Sequence, residues 1–379
     1  WSYWALGKTP GYVYSDNKLF PYLRFSPLLA RGTAAAPRTA TWPKRNRFDI
    51  RGIMYDTSRG SIVYTADYWI RILPHLRRFG FNSIIMYFEN HMRYPSQPAF
   101  APAGSWTLAD LRRLQNSAAR HGIDIIPAQT SIGHCPGILT HPKYKHLAED
   151  GSKGYQFCVS HPETPQVLED IFTDLCRASR SPYVSINADE SGYLGLCPRC
   201  RKEFQGWSRG RIFRHHILRL YEIVKAHGKR MMMWDDMLWT FPDALKGLPR
   251  DIVLLDWHYC LHRKYPSVDV WRKEGFDVIV CPGMYLVENA FWLADYGAAR
   301  GASGLINTLW EDHSLPLGSR WQQFLATDWA AHSKSPADME AWYRRAAAEF
   351  FGPAGERLGV SLAAQDLLIR NGHKTGSAP

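Results

Sequence analysis

From residue 48 onward, short apolar runs alternate with longer segments of helical period, and this alternation constrains the fold more than any other feature. Runs of strand length lie at 48–55, 82–88, 123–128, 183–188, 230–234, 252–257, 278–281 and 304–309. Helical patterns lie between and after them, at 66–79, 107–121, 165–179, 212–227, 268–274, 289–300 and 321–332. Eight strands in this rhythm predict an α/β chain closed into a (β/α)8 TIM barrel. An open doubly wound sheet is the competing architecture. It would carry a glycine-rich dinucleotide fingerprint after the first strand, and none is there.

The barrel is expected over 47–335. Residues 1–46 are broken by Pro10, Gly11, Pro37 and Pro43 and read as an N-terminal arm or the remnant of a preceding domain. Residues 336–379 read as a short C-terminal helical extension. The chain opens at Trp1 with no signal-peptide pattern, which reads as a processed or truncated product whose compartment, cytoplasmic or secreted, is not written in it. No apolar run approaches the ~18 residues that cross a membrane, so no membrane partner is expected. A net charge of +11 raises polyanions as partners, but the arginines are spread along helical segments. No basic run is longer than Trp42-Pro43-Lys44-Arg45-Asn46-Arg47, and no nucleic acid is expected.

In barrels of this kind chemistry gathers where strands end. Here those ends carry Asp56, Glu89, His134, Asp189-Glu190, Trp234-Asp235-Asp236, Trp257-His258-Tyr259, Tyr285 and Trp310-Glu311-Asp312. Acids and broad aromatics around one rim suit a sugar, whose CH faces stack on rings and whose hydroxyls bond to carboxylates. Asp189-Glu190 is the sharpest of these features. Glycoside cleavage needs an acid for the leaving oxygen and a group that stabilises the developing cation. Adjacent carboxylates oppose each other's ionisation, which can keep one protonated. The alternative is an ordinary acidic pair at the start of a loop.

Several segments resemble glycoside hydrolase family 20, the β-N-acetylhexosaminidases. They are Arg51–Arg59 (Arg-Gly-x-x-x-Asp-x-Ser-Arg), Ile126–His134 ending in Gly-His, Met232–Met237, Gly304–Trp310 and the stretch Tyr144–Gly151, which is similar to a bacterial branch. The resemblance implies retaining exo-hydrolysis of terminal β-linked GlcNAc or GalNAc with no cofactor. The substrate's own acetamide oxygen attacks the anomeric carbon and forms an oxazolinium. By this likeness Glu190 is the general acid and then the base, and Asp189 orients the acetamide. Tyr285 or Tyr259, the former preferred, bonds the acetamide oxygen. Arg51 takes sugar hydroxyls, Glu89 and His134 support the site, and Trp234, Trp257 and Trp310 wall the pocket. Glu311 or Asp312 takes the outer hydroxyls. Plainer roles stay open: an ion pair for Arg51, a loop histidine for His134, core positions for Trp257 and Trp310, and a helix cap for Asp235 or Asp236.

The family's His-x-Gly-x-Asp-Glu at the fourth strand is Ser185-Ile186-Asn187-Ala188-Asp189-Glu190 here. That departure motivates two further readings, a barrel glycosidase of other specificity and an inactive barrel that only binds amino sugars. Seven scattered cysteines are no disulfide framework. Cys197-Pro198-Arg199-Cys200 is half of a zinc site, which His134, Cys135, Cys158 or His161 could complete; a disulfide or free thiols are the alternatives. His215-His216 reads as the exposed face of a helix.

Overall fold

A computed structural model describes residues 46–59, 62–283, 287–311 and 317–352, with Val13–Ser15 and a few positions between 355 and 361. Eight strands close a barrel: β1 (Ile50–Asp56), β2 (Ser83–Tyr87), β3 (Asp124–Ala128), β4 (Tyr183–Ser185), β5 (Arg230–Trp234), β6 (Val253–Trp257), β7 (Asp277–Cys281) and β8 (Gly304–Leu309). Every neighbouring pair is parallel, and β8 closes on β1 with Gly304 opposite Ile50. Long helices follow most strands: α1 (Ala66–Arg78), α2 (Leu108–Arg120), α3 (Thr164–Ala178), α4 (Arg209–Ala226), α5 (Pro266–Lys273), α6 (Val287–Ala299) and α7 (Trp321–His332). Beyond the barrel, α8 spans Met339–Phe351. β5 is followed only by the short helices Asp236–Thr240 and Pro242–Leu245.

The strands read as continuous apolar runs because both of their faces are buried. On β1, Met54 points into the barrel with Ile85, Ile126, Met232, Leu255 and Ile306, while Ile53 and Tyr55 face the helices. Local signals set the helix starts. Thr107 and Asp110 form a capping box at α2, and Ser208 caps α4 by accepting from the Arg211 amide.

β4 stops three residues earlier than its apolar run suggests, because Asn187 and Ala188 take left-handed backbone angles, φ 57° and 70°. On α4, His216 is buried and held neutral by that burial, with its pKa pushed down to about 3, while His215 packs against Phe204 and Trp207. The expected exposed His-His face is therefore absent.

Candidate active site

The C-terminal ends of β1 to β4 converge on His134. Its Nε2 lies 2.9 Å from Glu190 Oε2, 3.3 Å from Asp189 Oδ2 and 2.8 Å from the Tyr155 hydroxyl. Tyr155 also donates to Glu190 Oε2 at 3.4 Å. The two acids are differently placed: the Asp189 side chain is 9% exposed and that of Glu190 is 53% exposed. Asp189 Oδ1 is buried with no hydrogen-bond partner among the described residues, so one acceptor remains for an incoming donor.

Adjacent residues on a regular strand point to opposite faces, so this convergence requires a broken backbone. Six described residues other than glycine have positive φ, and five of them stand here: Glu89, His134, Asn187, Ala188 and Glu190. Asn is the side chain that best tolerates this region after glycine. Asn187 is further held by the Ser185 hydroxyl at 3.1 Å, and its carbonyl accepts from the Trp234 amide. Ser185 and Asn187 thus keep the turn at the place where the family has His and Gly. Gly133 completes the close fit, since a Cβ there would stand 2.6 Å from the Asp189 carbonyl oxygen.

The electrostatics follow from these contacts. Burial opposes charge on His134, but Asp189 and Glu190 outweigh it and raise its pKa to about 9. The hydrogen bond from His134 lowers Glu190. Asp189 is also lowered, because His134 and Arg59 overcome its desolvation. Burial lifts Glu89 to about 7 although the Gly137 amide donates to it at 2.6 Å. Desolvation and the neighbouring Asp189 lift Asp236 to about 7, and its Oδ2 accepts from the Glu190 amide at 2.8 Å.

The aromatic wall is partly assembled. Trp234 and Trp310 are in contact at 5.9 Å, Trp310 Nε1 donates to the Tyr259 hydroxyl at 2.6 Å, and Trp257 packs on Tyr259. Tyr285 and Asp312 lie outside the described residues. One expectation needs correction. Arg51 is at the opposite end of the barrel and on its outer face, where its guanidinium donates to the carbonyls of Phe48 at 2.6 Å and Gly80 at 3.4 Å. Glu311 is buried at the end of β8, with its carboxylate 3.8 Å from Arg320. Asp235 stands at the cap position of Asp236–Thr240, but its carboxylate accepts from Trp271 Nε1 instead of the helix backbone.

Three groups at the site were not singled out from sequence: Arg59, Tyr155 and Asp236 as a support. Arg59 was in view as the last residue of the Arg51–Arg59 motif. It follows the strand end, where Asp56 Oδ1 accepts from the amides of Ser58 and Arg59 and turns the chain inward. Its guanidinium then lies 4.3 Å from the Trp310 ring centre and 5.6 Å from that of Tyr87.

A closed parallel barrel with a histidine-bridged carboxylate pair at its C-terminal mouth puts acid–base groups where barrels of this kind carry their chemistry. Residues 69–310 match the family described as "Glycosyl hydrolase family 20, catalytic domain", and the chain belongs to that family. Hexosaminidase D of Homo sapiens is 24% identical over 227 residues, covering 56% of this chain and 46% of that protein. Hexosaminidase D of Bos taurus is 25% identical over 275 residues, covering 68% of this chain and 74% of that protein. The chain thus spans about half the length of the human relative. Among solved structures, the chitobiase of Flavobacterium johnsoniae superposes with a TM-score of 0.69 at 21% identity, over 83% of this chain and 53% of the other. That likeness bears on the fold alone, and agrees with the (β/α)8 barrel.

Proposed function

We propose that the chain is a retaining exo-β-N-acetylhexosaminidase that removes terminal β-linked GlcNAc or GalNAc by substrate-assisted catalysis. The observation that carries this reading is the convergence of Asp189 and Glu190 on His134 at the barrel mouth. Their hydrogen-bonded group stores one proton between His134 and Glu190. In the open site it rests on the imidazole. A sugar that displaces water makes the charged pair costlier, and the proton crosses to Glu190. Glu190 then protonates the leaving oxygen as the acetamide oxygen bonds to the anomeric carbon and the glycosidic bond breaks. Asp189 accepts the acetamide N–H and balances the oxazolinium charge. Water next attacks the anomeric carbon, gives its proton to Glu190 and reopens the ring with retention. Arg59, at the rim beside Trp310, is the cation placed to bind hydroxyls.

Wild-type enzyme should hydrolyse chromogenic β-GlcNAc or β-GalNAc glycosides. Glu190→Gln should lose at least ~10³-fold in kcat while still binding GlcNAc. Asp189→Asn should also slow turnover. A thiazoline mimic of the cyclic intermediate should bind well ahead of GlcNAc, because a site complementary to that species must prefer it. Equal binding of the two would overturn the acetamide route. A wild-type chain that binds GlcNAc without turnover would make this an inactive sugar-binding barrel.

A further inference from the structure

Away from the acid pair, three thiols and a carboxylate meet below the surface. Glu149 and Cys158 lie in the long connection after β3; Cys197 and Cys200 flank the first turn of the short helix Pro198–Glu203 after β4. All four are buried, and their ligand atoms lie within 4.8 Å of one another. Cys158 Sγ is 3.6 Å from Cys197 Sγ and 3.7 Å from Cys200 Sγ, and Cys200 Sγ is 3.3 Å from Glu149 Oε2.

A disulfide would bring two sulfurs to ~2.05 Å, which these distances exclude in this arrangement. Around tetrahedral zinc, bonds of ~2.3 Å to sulfur and ~2.0 Å to oxygen separate two sulfurs by ~3.8 Å and a sulfur from an oxygen by ~3.5 Å. The observed spacings are close to those. Packing of neutral thiols would give similar sulfur contacts, but it leaves Glu149 unexplained. That carboxylate is 1% exposed, and its described partners are the Cys197 amide at 2.8 Å and the Cys200 thiol. A buried carboxylate among thiols is costly unless a cation joins it. The Cys200 amide also donates to Cys197 Sγ at 3.3 Å, the kind of outer bond that orients a metal-bound thiolate.

We propose that Cys158, Cys197, Cys200 and Glu149 bind one zinc ion. Three thiolates favour a soft or borderline metal, and a closed set of four protein ligands fits a structural zinc. His161 is not in this cluster; its ring nitrogen gathers instead with that of His146 and with the Glu163 carboxylate. His134 and Cys135 belong to the acid-pair site instead: Cys135 Sγ lies against the Gly133 carbonyl at 3.1 Å. The ion would tie the connection after β3 to the one after β4. Tyr155 lies on the first of these segments and Glu190 on the second, and Gln156 Oε1 already accepts from the Tyr193 amide between them at 3.0 Å. The zinc is thus a positioning element and touches no substrate.

The test is elemental analysis of the full chain, produced with zinc and purified without chelator. About one zinc per chain is expected, and none in Cys158→Ser or Cys197→Ser. Because those variants could misfold, Glu149→Gln keeps all three thiols; it should release zinc to a chromogenic chelator with affinity lowered by at least the ~10-fold that even outer contacts cost. Cobalt(II) in place of zinc should give the visible bands of a tetrahedral thiolate site. After chelation and denaturation without reductant, all seven cysteines should titrate as thiols. Zinc well below one per chain after reconstitution, five thiols in place of seven, or Glu149→Gln holding zinc as tightly as wild type would each overturn the site as proposed.

Discussion

Side chains on a strand alternate between its faces, and the parity of β1 decides what its arginines can do. Met54 points inward, so Arg51 points outward, at the strand's N-terminal end, bonded to the Phe48 and Gly80 carbonyls. Arg59 comes after the strand, past a turn held by Asp56, and reaches the mouth over Trp310. Both residues were visible in one motif, but a motif gives residue types and order; strand parity and the end of the strand assign the work. Arg59→Ala should lower kcat/KM by roughly 10²-fold, the ~3 kcal/mol of charged hydrogen bonds to a ligand. Arg51→Ala should leave kcat/KM within about twofold and instead lower stability by ~1–3 kcal/mol, as its carbonyl partners lose a donor. Steady-state kinetics and urea unfolding on both variants check this, and the reverse pattern would restore Arg51 to the sugar.

At the scale of elements, β4 is the instructive strand. Its apolar run, Tyr183–Ala188, reads as six residues, yet pairing ends at Ser185 because Asn187 and Ala188 turn left-handed. The other barrel strands match their runs to within two residues at each end, because burial on both faces writes itself as uninterrupted apolar sequence. Backbone strain has no such signature, and it is what folds Asp189 and Glu190 toward one histidine. Tyr155 was equally illegible: it approaches His134 from a long connection without periodic pattern. Asn187 occupies the family's glycine position and supplies the same angle by another side chain. Asn187→Gly should therefore change stability by less than ~1 kcal/mol. Asn187→Val, β-branched at φ 57°, should cost ~2 kcal/mol or more and depress kcat by displacing the acid pair. Urea midpoints that rank the two variants equally would remove the conformational argument.

For the whole molecule, the mouth concentrates groups whose protonation differs between folded and unfolded chain, so stability and activity share a pH dependence. Glu89 and Asp236, raised by burial to about 7, bind protons more tightly when folded; their contribution is present at low pH and fades as pH rises through 7. Asp189 and Glu190 are lowered, so theirs is present above the ordinary carboxylate range and is lost as pH falls through their folded values. His134 is raised from 6.5 to about 9 by its two acids against the cost of burial. Its contribution is complete below about 6.5 and disappears as pH climbs through 9. At ~1.4 kcal/mol per pKa unit the most it can be is ~3 kcal/mol. Urea unfolding should therefore show wild type losing stability between pH 6.5 and 9 beyond the loss in His134→Gln, which has no proton to release. The same proton is the one Glu190 passes to the leaving oxygen, so kcat/KM should fall along an alkaline limb near pH 9. An identical limb in His134→Gln would mean that the transferred proton is stored on another group, and the shared-proton mechanism would fail even if the barrel and the acid pair stand.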